Sequence, residues 1–201
     1  MKKLIMMAVM AVVALTASAQ KGEFHVTPHI TAGYAHMSDA KVNPDVGDFD
    51  MSNHVLAGAG VDLEYMLSNT FGLSVGADYN YIRSTTEKEG SHELYLNYSY
   101  LNVPVLAQLH VGEGLAFKAG FQPMFVLDAK FHGKDNSGSD SESFKDELKS
   151  VAYAIPVGIS YTFATPITMD LRCNIPVTKV NKTDELDMKM LSVTLSLGYR
   201  F

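Results

Sequence analysis

Apolar and polar positions alternate with a period of two along most of the chain. Over residues 191–201, Leu191, Val193, Leu195, Leu197, Tyr199 and Phe201 alternate with Ser192, Thr194, Ser196, Gly198 and Arg200. A helical stripe would repeat at about 3.6 residues, so this run predicts a β-strand with one apolar face. Residues 151–163 set Val, Tyr, Ile and Phe against Ala152, Ala154, Pro156, Gly158, Ser160 and Thr162. Residues 167–177 set Ile167, Met169, Leu171, Cys173, Ile175 and Val177 against Thr168, Asp170, Arg172 and Asn174. Residues 55–65, 71–81 and 115–129 follow the same rule, and 24–37 follows it less cleanly. In 94–110 the phase changes: Leu96, Tyr98 and Tyr100 share one parity, and Leu101, Val103 and Val105 share the other. That change predicts a β-bulge near Tyr100.

Eight strands result, each about 11 residues or longer, the length a tilted membrane strand needs. Their connections alternate in length. Residues 67–70, 111–114 and 164–165 are tight turns, whereas 38–53, 82–93, 132–150 and 178–188 are long, polar and acidic. Short turns on one side and long loops on the other predict an all-β fold: an eight-stranded antiparallel up-and-down transmembrane β-barrel, turns periplasmic and loops extracellular. A soluble carrier barrel also alternates, but it shows Lys and Glu to water. Here the second face is mostly Gly, Ala, Ser and Thr, which suits the narrow bore of an eight-stranded barrel. With the turns set to the periplasm, Phe24, Tyr65, Phe71, Phe117, Tyr161, Phe163, Tyr199 and Phe201 fall near one rim, as an interfacial girdle requires. Tyr34, Tyr79, Tyr81, Tyr98, Tyr100 and Tyr153 are expected to form the opposite one. Pro104, Pro123, Pro156 and Pro176 run against the pattern, because a closed barrel has no free edge to host a missing donor.

The N-terminus reads as an export signal. Lys2 and Lys3 precede an apolar stretch too short to span a bilayer, and Ala17-Ser18-Ala19 fits a small-x-small cleavage site. Residues 1–19 are thus expected to be removed between Ala19 and Gln20, leaving residues 20–201 as the barrel domain; a retained anchor helix is the alternative. Cleavage removes two lysines and no acid, taking the formal charge from −6 to −8. An acidic chain lacks the basic surface that nucleic acid requires. The single cysteine, Cys173, excludes an intrachain disulfide and a cysteine-based zinc site.

Six charged residues carry inward parity near the turns: Asp62, Glu64, Lys118, Asp170, Arg172 and Arg200. Buried charges persist when paired, so a salt-bridge plug across the bore is expected; separately hydrated charges in a wet lumen are the alternative. His25 and His29 share inward parity, but no third ligand accompanies them, and an ordinary lumen-facing pair is the expectation. The loop carrying Asp135, Asp140, Glu142, Asp146 and Glu147 has oxygen ligands of the kind calcium takes but no EF-hand spacing. No local signature of Ser-His-Asp catalysis occurs, and neither an enzyme nor a cofactor is expected.

Several stretches resemble the PorT-like outer-membrane β-barrel family, a group of small barrels of the OmpA/OmpX type. They are Gly58-Ala59-Gly60 through Glu64-Tyr65, Leu101-Asn102-Val103-Pro104-Val105, Lys118-Ala119-Gly120, Gly158-Ile159-Ser160-Tyr161, Asp170-Leu171-Arg172 and Leu197-Gly198-Tyr199-Arg200-Phe201. The resemblance implies an integral outer-membrane protein of a Gram-negative cell, without catalytic residues, contacting outer-membrane lipids. It also implies that Phe201, with Tyr199 on the alternating last strand, is the signal read by the barrel-assembly machinery. Two roles follow: an envelope-structural or surface-interaction barrel with an unidentified protein partner, or an accessory barrel of a protein secretion system.

Overall fold

The period-two runs pair with one another into a closed wall. The computed structural model describes residues 24–37, 54–85, 93–135, 138–143, 148–180 and 189–201. Among the described residues are ten strands: β1 Phe24–Met37, β2 His54–Met66, β3 Phe71–Thr85, β4 Glu93–Asn102, β5 Val105–Val111, β6 Leu115–Asp135, β7 Gly138–Ser143, β8 Val151–Thr162, β9 Ile167–Pro176 and β10 Met190–Tyr199. All pairings are antiparallel, and β10 returns to β1, with His29 opposite Gly198 and Met37 opposite Met190. β4 and β5 are two halves of one stave, both lying between β3 and β6. β7 is a short arm folded back on the far end of β6, which otherwise pairs with β8. Eight staves therefore close the barrel, and closure pairs backbone groups that hydrocarbon could not satisfy. β3 runs on to Thr85 and β6 to Asp135, so part of what reads as loop in the sequence extends the wall.

The alternation sorts side chains as the pattern predicts. Leu195 is 49% exposed on the outside and Ser196, next to it, 7% exposed on the inside. The three tight turns lie at one end of the barrel. At the β5–β6 turn Gly112 has a φ of 66°, in the left-handed region glycine adopts without strain.

The phase change near Tyr100 has a different origin from the one the sequence implies. Tyr98, Tyr100, Asn102, Pro104, Leu106 and Gln108 are all buried at one parity, so this stave keeps its phase. The bulge lies on its neighbour. Ser99 sits opposite Asp128 and Tyr100 opposite Val126, which leaves Leu127 of β6 as the extra residue. Below it β6 turns Lys118, Gln122, Met124 and Val126 inward; above it Ala129 is inside, and Asp128 and Lys130 pair outside at 2.8 Å. Tyr98 and Tyr100 are thus interior residues, each 1% exposed, and not part of an outer girdle.

Three of the four prolines that run against the sequence pattern, Pro104, Pro156 and Pro176, coincide with breaks or ends of the ladder. Val103 and Pro104 separate β4 from β5. There the Pro104 carbonyl accepts from the Gly76 amide at 2.8 Å, and the Pro123 carbonyl accepts from the Val103 amide at 3.0 Å. Between β6 and β8, Ala119 pairs Val157 and Gln122 pairs Ala154, but Gly120–Phe121 and Ile155–Pro156 do not pair. Each missing N–H falls where no partner strand needs it. Pro176 ends β9.

Candidate functional site

The bore is filled in layers. Toward the tight turns the filling is ionic. β9 supplies Asp170 and Arg172, β2 supplies Asp62 and Glu64, β3 supplies Asp78, and β6 supplies Lys118, all from inward positions. Arg172 is held by three carboxylates: its Nη2 lies 3.3 Å from Asp62 Oδ2, its Nη1 3.4 Å from Asp78 Oδ2, and its Nε 3.3 Å from Asp170 Oδ1. Lys118 Nζ donates to the other Asp170 oxygen at 2.6 Å. Arg200, just beyond β10, reaches Glu64 Oε2 at 3.0 Å, and His110 Nε2 donates to Glu64 Oε1 at 2.7 Å. His29 places Nε2 3.1 Å from Asp78 Oδ1 and Nδ1 3.2 Å from the Thr27 carbonyl. The charges come from staves on opposite sides of the bore, so the ion pairs cross it.

All six charged residues singled out in the sequence lie in this layer. Three further members are Asp78, His29 and His110. Asp78 has the same inward parity as Asp62, and that signal is present in the sequence. The two histidines join through carboxylates two staves away, His29 on β1 to Asp78 on β3 and His110 on β5 to Glu64 on β2, which parity alone does not reveal. Among the described residues no group of three or more His, Cys, Asp or Glu is placed to hold a metal ion. His25 approaches the Phe201 carbonyl at 3.3 Å.

Toward the long loops the filling is apolar. Leu56, Ile82, Tyr98, Tyr100, Met124, Val126 and Met190 form a buried cluster. Leu148 and Val180, from the segments before β8 and after β9, complete it. These two segments are tied together by a 2.7 Å hydrogen bond from the Lys149 amide to the Val180 carbonyl. The sequence pattern carries a trace of this layer, since Leu56, Ile82 and Met190 are apolar residues at inward parity.

The ends of the wall are aromatic. Tyr65, Phe71, Phe117, Tyr161, Phe163, Tyr199 and Phe201 point outward near the tight turns, and Tyr34, Tyr79, Tyr81 and Tyr153 point outward higher up. Tyr199 and Phe201 contact each other at 4.7 Å between ring centroids. The Phe201 amide donates to the Val26 carbonyl at 2.9 Å, which ties the chain end to β1. Ala19 and Gln20, and the acidic loop residues Asp135, Asp140, Glu142, Asp146 and Glu147, lie outside the residues whose side chains are described.

Residues 18–182 match the family model described as the outer membrane protein beta-barrel domain. The fold is similar to that of Ail, the attachment invasion locus protein of Yersinia pestis, solved in complex with the heparin analogue sucrose octasulfate. That likeness covers 89% of this chain and 99% of Ail, at 17% identity and a TM-score of 0.54. OprG from Pseudomonas aeruginosa is similar over 90% of this chain and 96% of its own, at 13% identity and a TM-score of 0.52. No curated protein matches the sequence.

Proposed function

The chain belongs to the family of outer-membrane β-barrel domains, and on that premise we propose that it is a sealed, non-enzymatic barrel whose work is done by its loops. It is an integral outer-membrane protein whose apolar wall faces lipid. Arg172 carries the proposal that it is sealed. One guanidinium bound to carboxylates from β2, β3 and β9 spans the bore where a pore would need open water. The apolar cluster fills the same bore nearer the loops. An eight-stranded barrel has just enough interior for side chains to fill. Planar-bilayer recordings of the refolded protein are expected to show no steady conductance; a large, steady conductance would overturn the sealed reading.

The loops are then the working surface. Residues 38–53, between β1 and β2, include Asp39, Asp45, Asp48 and Asp50 against Lys41 alone. A sulfated polyanion such as the one bound to Ail is a poor match for that charge, and a neutral or cationic partner at the cell surface is a better one. The PorT-like stretches support a second role, as an accessory barrel of a secretion system. A deletion strain separates the two. Detergent sensitivity or lost surface binding with normal secretion supports the first, and a specific secretion defect supports the second.

Biogenesis belongs to the same proposal. Residues 1–19 are read as the export signal, cleaved between Ala19 and Gln20, and Tyr199 with Phe201 as the signal for the assembly machinery. The outward, adjacent placement of those two rings leaves them accessible to a receptor.

A further inference from the structure

We propose that His29 is a buried proton-binding site: its ring is held as an imidazolium between Asp78 and the Thr27 carbonyl, and the proton it carries makes the barrel more stable in mild acid than in mild base. The geometry gives each ring nitrogen an acceptor. Nδ1 lies 3.2 Å from the Thr27 carbonyl, which can only accept, so Nδ1 carries a hydrogen. A neutral ring has one N–H, and its other nitrogen is then a bare lone pair. That other nitrogen, Nε2, lies 3.1 Å from Asp78 Oδ1. A lone pair there would repel the carboxylate oxygen, whereas an N–H attracts it. Among the described residues no other group donates a hydrogen bond to Asp78 Oδ1. The two side chains are 5% and 10% exposed, so the contact is shielded from bulk water.

The charge around the ring points the same way. Asp62 and Glu64 of β2, Lys118 of β6, Asp170 and Arg172 of β9, and Arg200 line one cavity with His29. Asp78 of β3 adds a further carboxylate. On the β10 side Gly198 lies opposite His29 and Ser196 lines the same cavity, and neither is charged. Four carboxylates thus meet three fixed cations, which leaves one negative charge in the bore. One proton on His29 closes the balance. Burial by itself favours a neutral ring, but a buried charge persists when it is paired. His110 of β5, the other histidine of the layer, requires no second proton: a neutral ring suffices for Nε2 to donate to Glu64.

Raising the pH should therefore weaken the barrel. In the unfolded chain a histidine releases its proton at about pH 6.5. Below that pH both states hold the proton and the stabilisation is complete; above it only the folded barrel holds it, and the stabilisation is lost as the pH rises. The test is urea unfolding of the whole refolded barrel in detergent, wild type against His29→Gln, across neutral and mildly basic pH. Glutamine can donate a hydrogen bond but does not titrate. The ratio of the variant's unfolding constant to that of the wild type should fall by up to about tenfold per pH unit above pH 6.5, the slope of one proton. Taking the ratio cancels the titration of the other six histidines. A ratio independent of pH overturns the proposal. Nitrogen-15 spectra of the folded wild type at neutral pH, with His29 assigned through its backbone, read the ring without any variant. Two N–H groups on the His29 ring are expected; one N–H beside a bare nitrogen overturns the proposal.

Discussion

Gly60 on β2 lies directly opposite Asp78 on β3, and the Asp78 carboxylate occupies the space a Cβ on Gly60 would take. The arrangement is reciprocal. Two residues along the same strand pair, Gly76 of β3 lies opposite Asp62 of β2, and a Cβ there would meet Asp62 Oδ1 and come within 2.9 Å of Pro104 Cγ. Two of the three acids that hold Arg172, Asp62 and Asp78, thus each lie across a glycine of the neighbouring strand.

Gly60→Ala therefore acts through Asp78. The added methyl meets the Asp78 carboxylate, the Ala77 carbonyl at 2.8 Å and His29 Nε2 at 2.9 Å. Overpacking of this kind costs about 1–3 kcal/mol, read as a lower midpoint for urea unfolding in detergent. In an Asp78→Ala background most of the penalty should disappear, because the atom displaced is gone. Equal penalties in the two backgrounds would show that the backbone carbonyl, not the carboxylate, sets the clash.

Arg172→Ala leaves Asp62, Asp78 and Asp170 facing one another without their shared cation. Removing one partner of a buried ion pair costs about 3–5 kcal/mol. Arg200→Ala removes only one contact to Glu64, which His110 still holds, and the Arg200 side chain is 19% exposed to water. The expected order is a large loss for Arg172→Ala and a clearly smaller one for Arg200→Ala, measured side by side by urea unfolding. Equal losses would mean that the ionic layer is a set of separate hydrated pairs.

The wall was legible in the sequence because strand parity is a local property: each residue from Leu191 to Phe201 declares its side by its neighbours. The inward acids and bases were legible for the same reason. Pairing was not, because Arg172 meets Asp62 across the bore and nothing local couples them. The bulge shows a further limit. A phase change near Tyr100 can arise on either of two paired strands, and apolar character pointed to the wrong one, since Tyr98 and Tyr100 are apolar enough for lipid yet fill the interior. The prolines read as a contradiction until the ladder around Gly120 and Pro156 is seen to be open.

The orientation of Tyr98 is directly testable. Its ring is 1% exposed and packs on Tyr100 at 5.4 Å, while its hydroxyl has no partner. Removing the ring with Tyr98→Ala should cost about 3–5 kcal/mol, as for other large buried aromatics. Removing the hydroxyl alone with Tyr98→Phe should leave stability unchanged or raise it, because an unsatisfied buried group is deleted. A girdle tyrosine facing the headgroups would show the reverse pattern: a mild effect for alanine and a measurable loss for phenylalanine.

Two layers of unlike chemistry close one bore, so neither should be its only barrier. Arg172→Ala empties the centre of the ionic layer but leaves Leu148, Val180, Tyr98 and Tyr100 packed nearer the loops. Val180→Asp puts a charge into that apolar cluster, where an unpaired carboxylate is disfavoured and drags water with it, but it leaves Arg172 bridging β2, β3 and β9. Each single variant should stay non-conducting in planar bilayers, and the double variant should pass ions in steady openings. Conductance in one single variant would identify that layer as the sole seal and the other as packing. A silent double variant that still shows heat-modifiable mobility would place the barrier in the middle of the bore, at Asn102, Gln122 and Asn174.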